Sequence, residues 1–440
     1  MRRSVRFGAA VVVLSLLAGL QGLVYIPSVG PYLGDSETYM APARAVLDGG
    51  YSTPLGAVDV TGLRIPQPAQ HALERQTYRT PGYPLVIAAT GGGDLGWALD
   101  VLRFAQALLL GLATALVMLT FRRIWNERLA LFGGALVALD PFTKHYVPRV
   151  LSEVLAIFLV AAAAYCFARA WQERSWPWWG TLGLTTAALT LTRPLFLFAI
   201  PLGIVAALVR SGPPRSRIAA ATATAVCAGV LLAPWLAWTH AATGRFAVSS
   251  FGEGWNLLIA AHGEGLHRTA VQIENDPSYA RDFASVHRFA PPVAALLRDP
   301  NAHPHYLVRA ESEQRRLALK LYRSRLRDEP FTVLGEIGYR AYFLWMVHED
   351  WIQPSWLLPL LKVADWLVLA LAAVGIALGL RRDGATRTFA LFLLAFTALS
   401  ALHHVEARYA IPVRSLFLAF VALGLAATVS WTHERVRRQQ

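Results

Sequence analysis

Two carboxylates, Asp35 and Glu37, stand in the stretch Gly34-Asp35-Ser36-Glu37-Thr38-Tyr39-Met40, just beyond the first long apolar run. The apolar runs of this chain otherwise contain almost no acidic residues. A carboxylate held in such a place can take a proton from an attacking hydroxyl group. Asp is also a favoured helix N-cap, and a helix rich in small residues is predicted over 41–47. This stretch alone leaves both roles open for Asp35.

Ionisable residues also stand at the borders of later apolar runs. Arg193 lies within Leu191-Thr192-Arg193-Pro194-Leu195 without an acidic neighbour in sequence, and Arg408 begins the last apolar run, close after Glu406. Such residues at membrane depth indicate a functional site by default. The structural alternatives are snorkelling to the interface for Arg193 and simple pairing with Glu406 for Arg408. Several arginines with a few carboxylates suit a phosphate-bearing lipid headgroup and a general base.

The composition is that of a membrane protein. The 440 residues are 55% hydrophobic and 16% charged, with a mean hydropathy of +0.41. Apolar residues cluster in runs that can cross a bilayer core of about 30 Å, which takes about 20 helical residues. We therefore expect an all-α polytopic membrane protein that forms a single membrane domain over 1–440. Cys166 and Cys227 both lie in apolar runs, which disfavours a disulfide framework and a thiolate metal site.

The sequence predicts about ten spans with two long segments between them. The expected spans are approximately 7–26, 97–120, 129–139, 154–170, a fifth that ends at Thr192, 195–209, a seventh that ends near His240, 356–380, 389–402 and 409–429. The long segments are 28–96, which holds the acidic stretch, and 241–355. The second segment has apolar residues at helical spacing among many charges over 311–327, and with 331–345 this pattern predicts interfacial helices.

Arginine clusters at alternate span ends predict the topology. They lie at Arg122-Arg123, 169–174, 210–217, 381–387 and in the C-terminal tail. The positive-inside rule then places these clusters and both termini in the cytoplasm, and the two long segments on the outer face of the inner (plasma) membrane. The net charge of +13 is dispersed among apolar spans, which favours contact with anionic membrane lipids and disfavours nucleic-acid binding.

With this topology, the polar residues that are costly at membrane depth collect at the outer face. They are Asp35, Glu37, Arg79, Asp140, Lys144, His145, Arg149, Glu153, Arg193, His403, His404, Glu406 and Arg408. Tyr39, Tyr83 and Tyr409 are further site candidates. Of these residues, Asp35, Glu37, Tyr39, Arg79, Tyr83, Glu153, Arg193, His404, Glu406, Arg408 and Tyr409 are the candidates for the site.

Four stretches, in chain order, resemble the GT-C fold glycosyltransferases. The nearest group comprises the protein mannosyltransferases, the aminoarabinose transferases and the related rhizobial lipopolysaccharide transferases. The stretches are Gly34-Asp35-Ser36-Glu37-Thr38-Tyr39, Arg79-Thr80-Pro81-Gly82-Tyr83-Pro84, Leu151-Ser152-Glu153 and His404-Val405-Glu406-Ala407-Arg408-Tyr409-Ala410-Ile411-Pro412. The resemblance spans most of the membrane region and implies a GT-C-like bundle. Segment 241–355, where acceptor choice is expected to lie, matches only loosely.

The resemblance implies a polyprenyl-phosphate sugar donor, an outward-facing cavity at the membrane surface and a catalytic Asp in the first loop. By position, Asp35 would be that base, with Glu37 as a second carboxylate that is either the base itself or a helper. Arg79, Arg193 and Arg408 would hold the donor phosphate, and transfer to an acceptor hydroxyl would invert the anomeric carbon.

The acceptor and the cofactors stay open at this point. A glycan, a lipid or a protein would each supply a suitable hydroxyl group. No cofactor is indicated with certainty, although some members of the family bind a divalent metal. We interpret His303-x-His305 as a surface pair and not as a metal site.

Two other classes of function compete with this hypothesis. One is a transporter or flippase of a lipid-linked or anionic solute. Inverted repeats, spans broken at matching places in two halves, or acids in mid-span would favour this class, and the sequence has none of these patterns. A catalytically inactive glycolipid-binding scaffold is the third alternative. The large outer segment and the confinement of polar residues to one face favour the enzyme.

Overall fold

The computed structural model of the protein describes most of the chain. The described residues are 2–27, 29–31, 35–47, 79–92, 96–249, 253–265, 268–269, 272–273, 276–278, 306–346 and 358–439. Within these ranges the regular structure is helical and contains no strand, in agreement with the all-α prediction.

Helices α1 to α16 are numbered in chain order. Their bounds are α1 Arg2–Val24, α2 Ser36–Leu47, α3 Gly82–Ala89, α4 Trp97–Ile124, α5 Glu127–Leu139, α6 Pro141–His145, α7 Glu153–Glu173, α8 Trp176–Thr192, α9 Ala199–Val209, α10 Pro214–Thr243, α11 Glu253–Ala261, α12 Tyr306–Asp328, α13 Pro330–Phe343, α14 Leu358–Arg381, α15 Gly384–Ala401 and α16 Arg414–Gln439. Short 3-10 helices, Pro194–Phe198 and Ala407–Val413, lead into α9 and α16.

Seven helices of the described part are long and apolar enough to cross a membrane. They are Val5–Val24, Trp97–Ile124, Glu153–Glu173, Pro214–Ala241, Pro359–Arg381, Gly384–Ala401 and Ala407–Trp431. The other three expected spans correspond to α5, α8 and the shorter apolar run Pro194–Val209. The 13 residues of α5 are about 20 Å long at 1.5 Å per residue, which is less than a bilayer core. Asn126 caps this helix at Leu129, and Asp140-Pro141 ends it.

Burial separates the centre of the bundle from its lipid-facing surface. The apolar window of the last span is 83% buried, whereas that of the first span is 17% buried. On α1, large apolar side chains are exposed at helical spacing, among them Val13, Leu16 and Leu20. Such a face suits lipid contact, and it would be unfavourable in water. The helix that starts just after the Arg408 motif is therefore the central one of the bundle.

Glycines bring α14 into direct backbone contact with this central helix. A Cβ atom added at Gly375 would lie 2.0 Å from the carbonyl oxygen of Phe420, and one added at Gly424 would lie 2.0 Å from that of Leu371. Only residues without a side chain permit such a close approach of two membrane helices. The contacts at Gly375 and Gly424 fix the position of α16 against α14.

A buried ion pair holds the N-terminal end of α16. The Arg414 Nε–H donates to Asp140 Oδ1 at 2.9 Å, and both side chains are about 4% exposed. Asp140 Oδ2 also accepts the backbone N–H of Thr143 and thereby caps α6. Because an unpaired buried charge is very unfavourable, this contact fixes where α16 begins. The preceding turn, 402–413, is thereby positioned as well.

Helices α11, α12 and α13 pack on each other next to this turn. Their apolar contacts include Leu258, Ala318 and Val333, all of which are fully buried. Arg340 of α13 is 1% exposed; its Nε–H donates to the carbonyl oxygen of Ala401 at 2.7 Å, and a second N–H donates to that of Glu264. Helices α12 and α13 confirm the helices predicted at 311–327 and 331–345. We refer to α11–α13 with residues 262–265 as the outer unit, after the prediction from the sequence that segment 241–355 lies outside the membrane.

Candidate active site

The glycine of the Arg79-Thr80-Pro81-Gly82-Tyr83-Pro84 motif places α3 against the C-terminal end of α8. A Cβ atom added at Gly82 would lie 2.5 Å from Thr192 Oγ1 and 2.7 Å from the carbonyl oxygen of Leu191. Arg79 and Arg193, which flank these two contact points in sequence, are thereby brought to the same end of the bundle. Tyr83 points inward, is fully buried, and donates to Gln106 Oε1 at 3.0 Å.

Asp35 lies between two arginines from distant parts of the chain. Its Oδ1 is 2.9 Å from Arg79 Nη2, and its Oδ2 is 2.9 Å from Arg408 Nη2. Its backbone carbonyl accepts the N–H of Thr38 in the first turn of α2. Burial alone would raise the pKa of Asp35, but the charges of Arg79 and Arg408 outweigh burial and hold this pKa below its ordinary value. The carboxylate is thus ionised, and it remains 31% exposed.

The guanidinium of Arg79 is oriented by neighbours on α2. Its Nε–H donates to Thr38 Oγ1 at 2.7 Å, and its Cζ lies 4.5 Å from the centre of the Tyr39 ring. Tyr39 in turn hydrogen-bonds Ser152 Oγ through its hydroxyl at 3.1 Å, just before α7. The aromatic ring supports the cation by a cation–π contact. Residues of the first acidic stretch therefore position both Asp35 and the arginine beside it.

Arg408 is also paired with Glu406. Their Nε and Oε2 atoms are 2.5 Å apart, and the hydroxyl of Tyr409 lies 3.4 Å from Glu406 Oε1. Burial would raise the pKa of Glu406, but the nearby imidazolium of His404 and the charge of Arg408 lower it to about 2. Arg408 thus contacts two ionised carboxylates, Glu406 within its own turn and Asp35 across the site.

A second pair, Glu153 and Arg193, lies beside the first. Arg193 Nη2 donates to Glu153 Oε1 at 3.0 Å; the glutamate is 1% exposed and the arginine 16%. The Arg193 and Arg408 guanidinium groups lie 5.9 and 5.8 Å from the centre of the Tyr409 ring. Tyr409 therefore links the two ion pairs. Glu153 Oε2 is buried and has no hydrogen-bond partner among the described residues.

His404 connects this group to the outer unit. Its Nδ1 is 2.5 Å from Glu264 Oε1, and its Nε2 is 3.8 Å from Glu406 Oε1. Burial would lower the pKa of His404, but the hydrogen bond to Glu264 and the nearby carboxylate of Glu406 raise it to about 9. The imidazole is therefore protonated at neutral pH.

The structure brings together most of the predicted site residues. Those in the cluster are Asp35, Tyr39, Arg79, Glu153, Arg193, His404, Glu406, Arg408 and Tyr409. Tyr83 lies behind the cluster and supports it. Lys144 donates to the backbone carbonyl of Asp140, close to the separate Asp140–Arg414 pair.

Three of the predicted residues lie partly or wholly outside the description. Glu37 is a residue of α2, but its side chain lies outside the described part of the chain. His303 and His305 lie wholly outside the described residues. Thr38, Ser152 and Glu264 are site residues for which no role was predicted. The stretches quoted above contain Thr38 and Ser152, whereas Glu264 belongs to no recognisable pattern.

The residues of the cluster do not form a metal site of ordinary composition. Among the described side chains, no group of three or more His, Cys, Asp or Glu residues could hold a metal ion. The carboxylates here are instead interleaved with arginines. This arrangement suits an anionic ligand, because the cluster contains three guanidinium groups that are each 16–21% exposed.

Sequence comparison supports the resemblance in part of the chain. Residues 89–238, about a third of the chain, match the family described as dolichyl-phosphate-mannose-protein mannosyltransferase. No curated protein matches the sequence.

Solved structures with a similar backbone are known. The archaeal oligosaccharyltransferase AglB from Archaeoglobus fulgidus, in complex with an inhibitory peptide and a dolichol-phosphate, has a TM-score of 0.56 at 12% identity. That alignment covers 99% of this chain and 52% of AglB, so the chain spans about half the length of that protein. The apo form of the A. fulgidus enzyme has a TM-score of 0.54, also at 12% identity, over 98% of this chain and 52% of that one.

A further match is weaker. ArnT from Cupriavidus metallidurans bound to undecaprenyl phosphate is 16% identical over 96% of this chain and 78% of ArnT, with a TM-score of 0.39. The backbone similarity to AglB shows the fold, and the family match covers the spans between the first two site motifs and the outer unit. The chain therefore has the backbone fold of AglB, which is the GT-C-like bundle that its motifs predict.

Proposed function

We propose that this protein transfers a sugar from a polyprenyl-phosphate-linked donor to an acceptor hydroxyl group, with inversion, at the outer face of the membrane. The observation that carries the proposal is the position of Asp35 between Arg79 and Arg408, with Arg193 beside them. A general base and a set of phosphate-binding groups thus share one partly exposed site. The family's name and the dolichol-phosphate in the AglB complex agree with such a donor.

In the proposed reaction, Asp35 takes the proton from the acceptor hydroxyl as its oxygen attacks the anomeric carbon. The bond between that carbon and the phosphate oxygen breaks, and the leaving phosphate keeps the electron pair. Negative charge develops on this oxygen, where fixed guanidinium groups stabilise it. Because attack and departure occur on opposite faces of the sugar ring, the configuration inverts.

Arg79 and Arg408, which contact Asp35, are also the groups that would bind the donor phosphate. A donor phosphate competes with Asp35 for Arg79 and Arg408. As these cations turn to the phosphate, the influence that lowers the pKa of Asp35 weakens, and the carboxylate becomes a stronger base. Donor binding would therefore activate the base just when the leaving group is in place.

The remaining features of the proposal follow from topology and chemistry. Both termini are placed in the cytoplasm and the site on the outer side, as the arginine clusters at span ends indicate. The acceptor is a glycan, a lipid or a protein, because each offers a hydroxyl group of similar reactivity. Membrane lipids surround the exposed apolar helix faces.

The experiment that tests the function is mass spectrometry of lipids that co-purify in mild detergent. We expect a polyprenyl phosphate or polyprenyl-phosphate sugar, and its mass would identify the donor. The Arg193→Ala/Arg408→Ala double variant should lose this lipid. Arg387→Ala is the control, because Arg387 bonds backbone carbonyls of Leu380 and Arg382 at the other end of the bundle.

Repeated recovery of a solute or ordinary phospholipid without any isoprenoid lipid would contradict the transferase and favour the transporter. A bound polyprenyl-phosphate sugar that is never transferred to any acceptor would instead indicate an inactive glycolipid-binding scaffold.

A further inference from the structure

Glu264 lies in the outer unit, outside every motif that resembles a known family. Its backbone is held in place, since its carbonyl accepts an N–H of the buried Arg340. Arg340 also bonds the carbonyl of Ala401 and the hydroxyl of Tyr322, so this anchor joins α12, α13 and the end of α15. The Glu264 side chain is 10% exposed and directed at His404. A nearly buried carboxylate on an anchored backbone has little freedom to choose another partner.

His404 is enclosed by the outer unit on one side and by its own turn on the other. From α11, the Asn256 carbonyl accepts the backbone N–H of His404 at 2.9 Å, and the Trp255 ring meets the imidazole edge-on with 6.0 Å between ring centres. The charged groups that face the imidazole are Glu264 from the outer unit and Glu406 from its own turn. Arg408 lies behind Glu406.

These contacts form a continuous series of alternating charges. It runs from Glu264 through His404, Glu406, Arg408 and Asp35 to Arg79. Each cation in the series lies between two carboxylates, apart from Arg79 at the end. If His404 lost its proton, Glu406 would keep only Arg408 as a cationic partner in this series. Glu406 would then hold Arg408 more strongly and leave it less available to a phosphate.

We propose that Glu264 is a positioning residue for Arg408: through His404 and Glu406 it keeps the Arg408 guanidinium available to the donor phosphate. This inference rests on the proposed function, and it deepens that function by assigning a role to the outer unit. Since Glu264, together with Glu406, raises the pKa of His404 to about 9, the series stays complete throughout the neutral range. The outer unit, whose sequence least resembles the family, would thereby contribute to donor affinity as well as to any contact with the acceptor.

The test measures binding of undecaprenyl phosphate to the detergent-solubilised protein between pH 6 and 8.5. The variants are Glu264→Gln, His404→Gln, the double variant and the control Glu336→Gln. Glu336 is matched to Glu264, because it is 12% exposed, lies in the same outer unit and pairs with Arg325. It has no contact with His404 among the described residues.

We expect Glu264→Gln to bind almost as well as the parent at pH 6 and about tenfold more weakly at pH 8, the effect of one lost hydrogen bond to a charged group. In this variant the pKa of His404 returns towards its ordinary value, so the proton is lost within the measured range. His404→Gln should bind weakly at both pH values, and the double variant should equal His404→Gln. The control should follow the parent.

Other outcomes separate the two hypotheses. If the parent binds undecaprenyl phosphate and Glu264→Gln has the same pH profile, the inference is wrong and the proposed function stands. If the parent binds no polyprenyl phosphate at any pH, both the proposed function and the inference that rests on it are wrong. Should Glu264→Gln not fold, His404→Gln decides alone: affinity equal to that of the parent across the pH range would overturn the inference.

Discussion

The carboxylate of Asp35 and the guanidinium of Arg408 lie 2.9 Å apart, although one residue follows the first span and the other begins the last. This contact joins the peripheral start of the bundle to its most enclosed helix. It also places a carboxylate of lowered pKa next to a cation that a phosphate would attract.

Asp35→Asn should lower the transfer rate by about 10²- to 10⁴-fold, the usual contribution of a general base. Binding of undecaprenyl phosphate should persist or become tighter, because Arg79 and Arg408 no longer share their charge with a carboxylate. Both properties can be measured on the same purified protein. Asp100→Asn is the matched control, since Asp100 also pairs with an arginine but is 74% exposed. Activity of Asp35→Asn equal to that of the parent would remove Asp35 as the base and leave Glu37 as the candidate.

Arg193→Ala and Arg408→Ala should each weaken undecaprenyl phosphate binding, by about tenfold or more for the loss of a charge-assisted hydrogen bond. The larger loss is expected for Arg408→Ala, because Asp35 and Glu406 would then repel the phosphate. Dissociation constants at one fixed salt concentration provide the comparison. Affinities that stay within twofold of the parent would show that the phosphate binds elsewhere.

Thermal stability should fall between pH 6.5 and 9.5 in the parent and much less in His404→Gln. His404 has a pKa raised from 6.5 to about 9, so its stabilisation is fully present below pH 6.5 and is lost as pH rises through 9. The corresponding free energy is on the order of 3 kcal/mol. Unfolding temperatures at the two pH values, compared between the two proteins, measure it. An equal fall in both would mean that other groups cause it.

Gly424→Ala should destabilise the fold by about 1–3 kcal/mol, the usual cost of overpacking a tight contact. The added methyl group would lie 2.0 Å from the Leu371 carbonyl oxygen and would push α14 away from α16. Gly229→Ala in α10 is the control, because no atom lies within 4 Å of its added Cβ. The unfolding temperature should drop only for Gly424→Ala. A similar drop for Gly229→Ala would mean that replacing any helix glycine destabilises the protein, whether or not the added methyl group has a close contact.

Much of the fold could be predicted because lipid imposes a simple pattern on the sequence. Helices must be apolar and long to cross a bilayer, and arginines collect at one set of ends. Polar residues that break this pattern carry information, and so the cluster around Asp35 could be anticipated from Arg193 and Arg408. The length of α5 was harder to predict from the sequence, since it depends on Asn126 and Asp140, which cap its two ends within an apolar region.

Specific pairings were beyond prediction. Arg193 has no acid beside it in sequence, yet Glu153 lies 3.0 Å away across a helix–helix contact. Glu264 stands in Gly263-Glu264-Gly265, where no periodicity indicates a partner. Its contact with His404 depends on how α11, α12 and α13 dock through Arg340, which is a property of tertiary packing alone.

The pairing of Asp35 with Arg408 also constrains how the protein is made. At about 5–20 residues per second, the ribosome produces Arg408 roughly 20 to 75 seconds after Asp35. During that interval Arg79 is already available to Asp35, but the last helix is still missing from the centre of the bundle. If the donor phosphate binds as proposed, its complete site would therefore form only after the final span has inserted. Under the proposed function, a nascent chain that stalls before this point would lack Arg408 and could not complete the site.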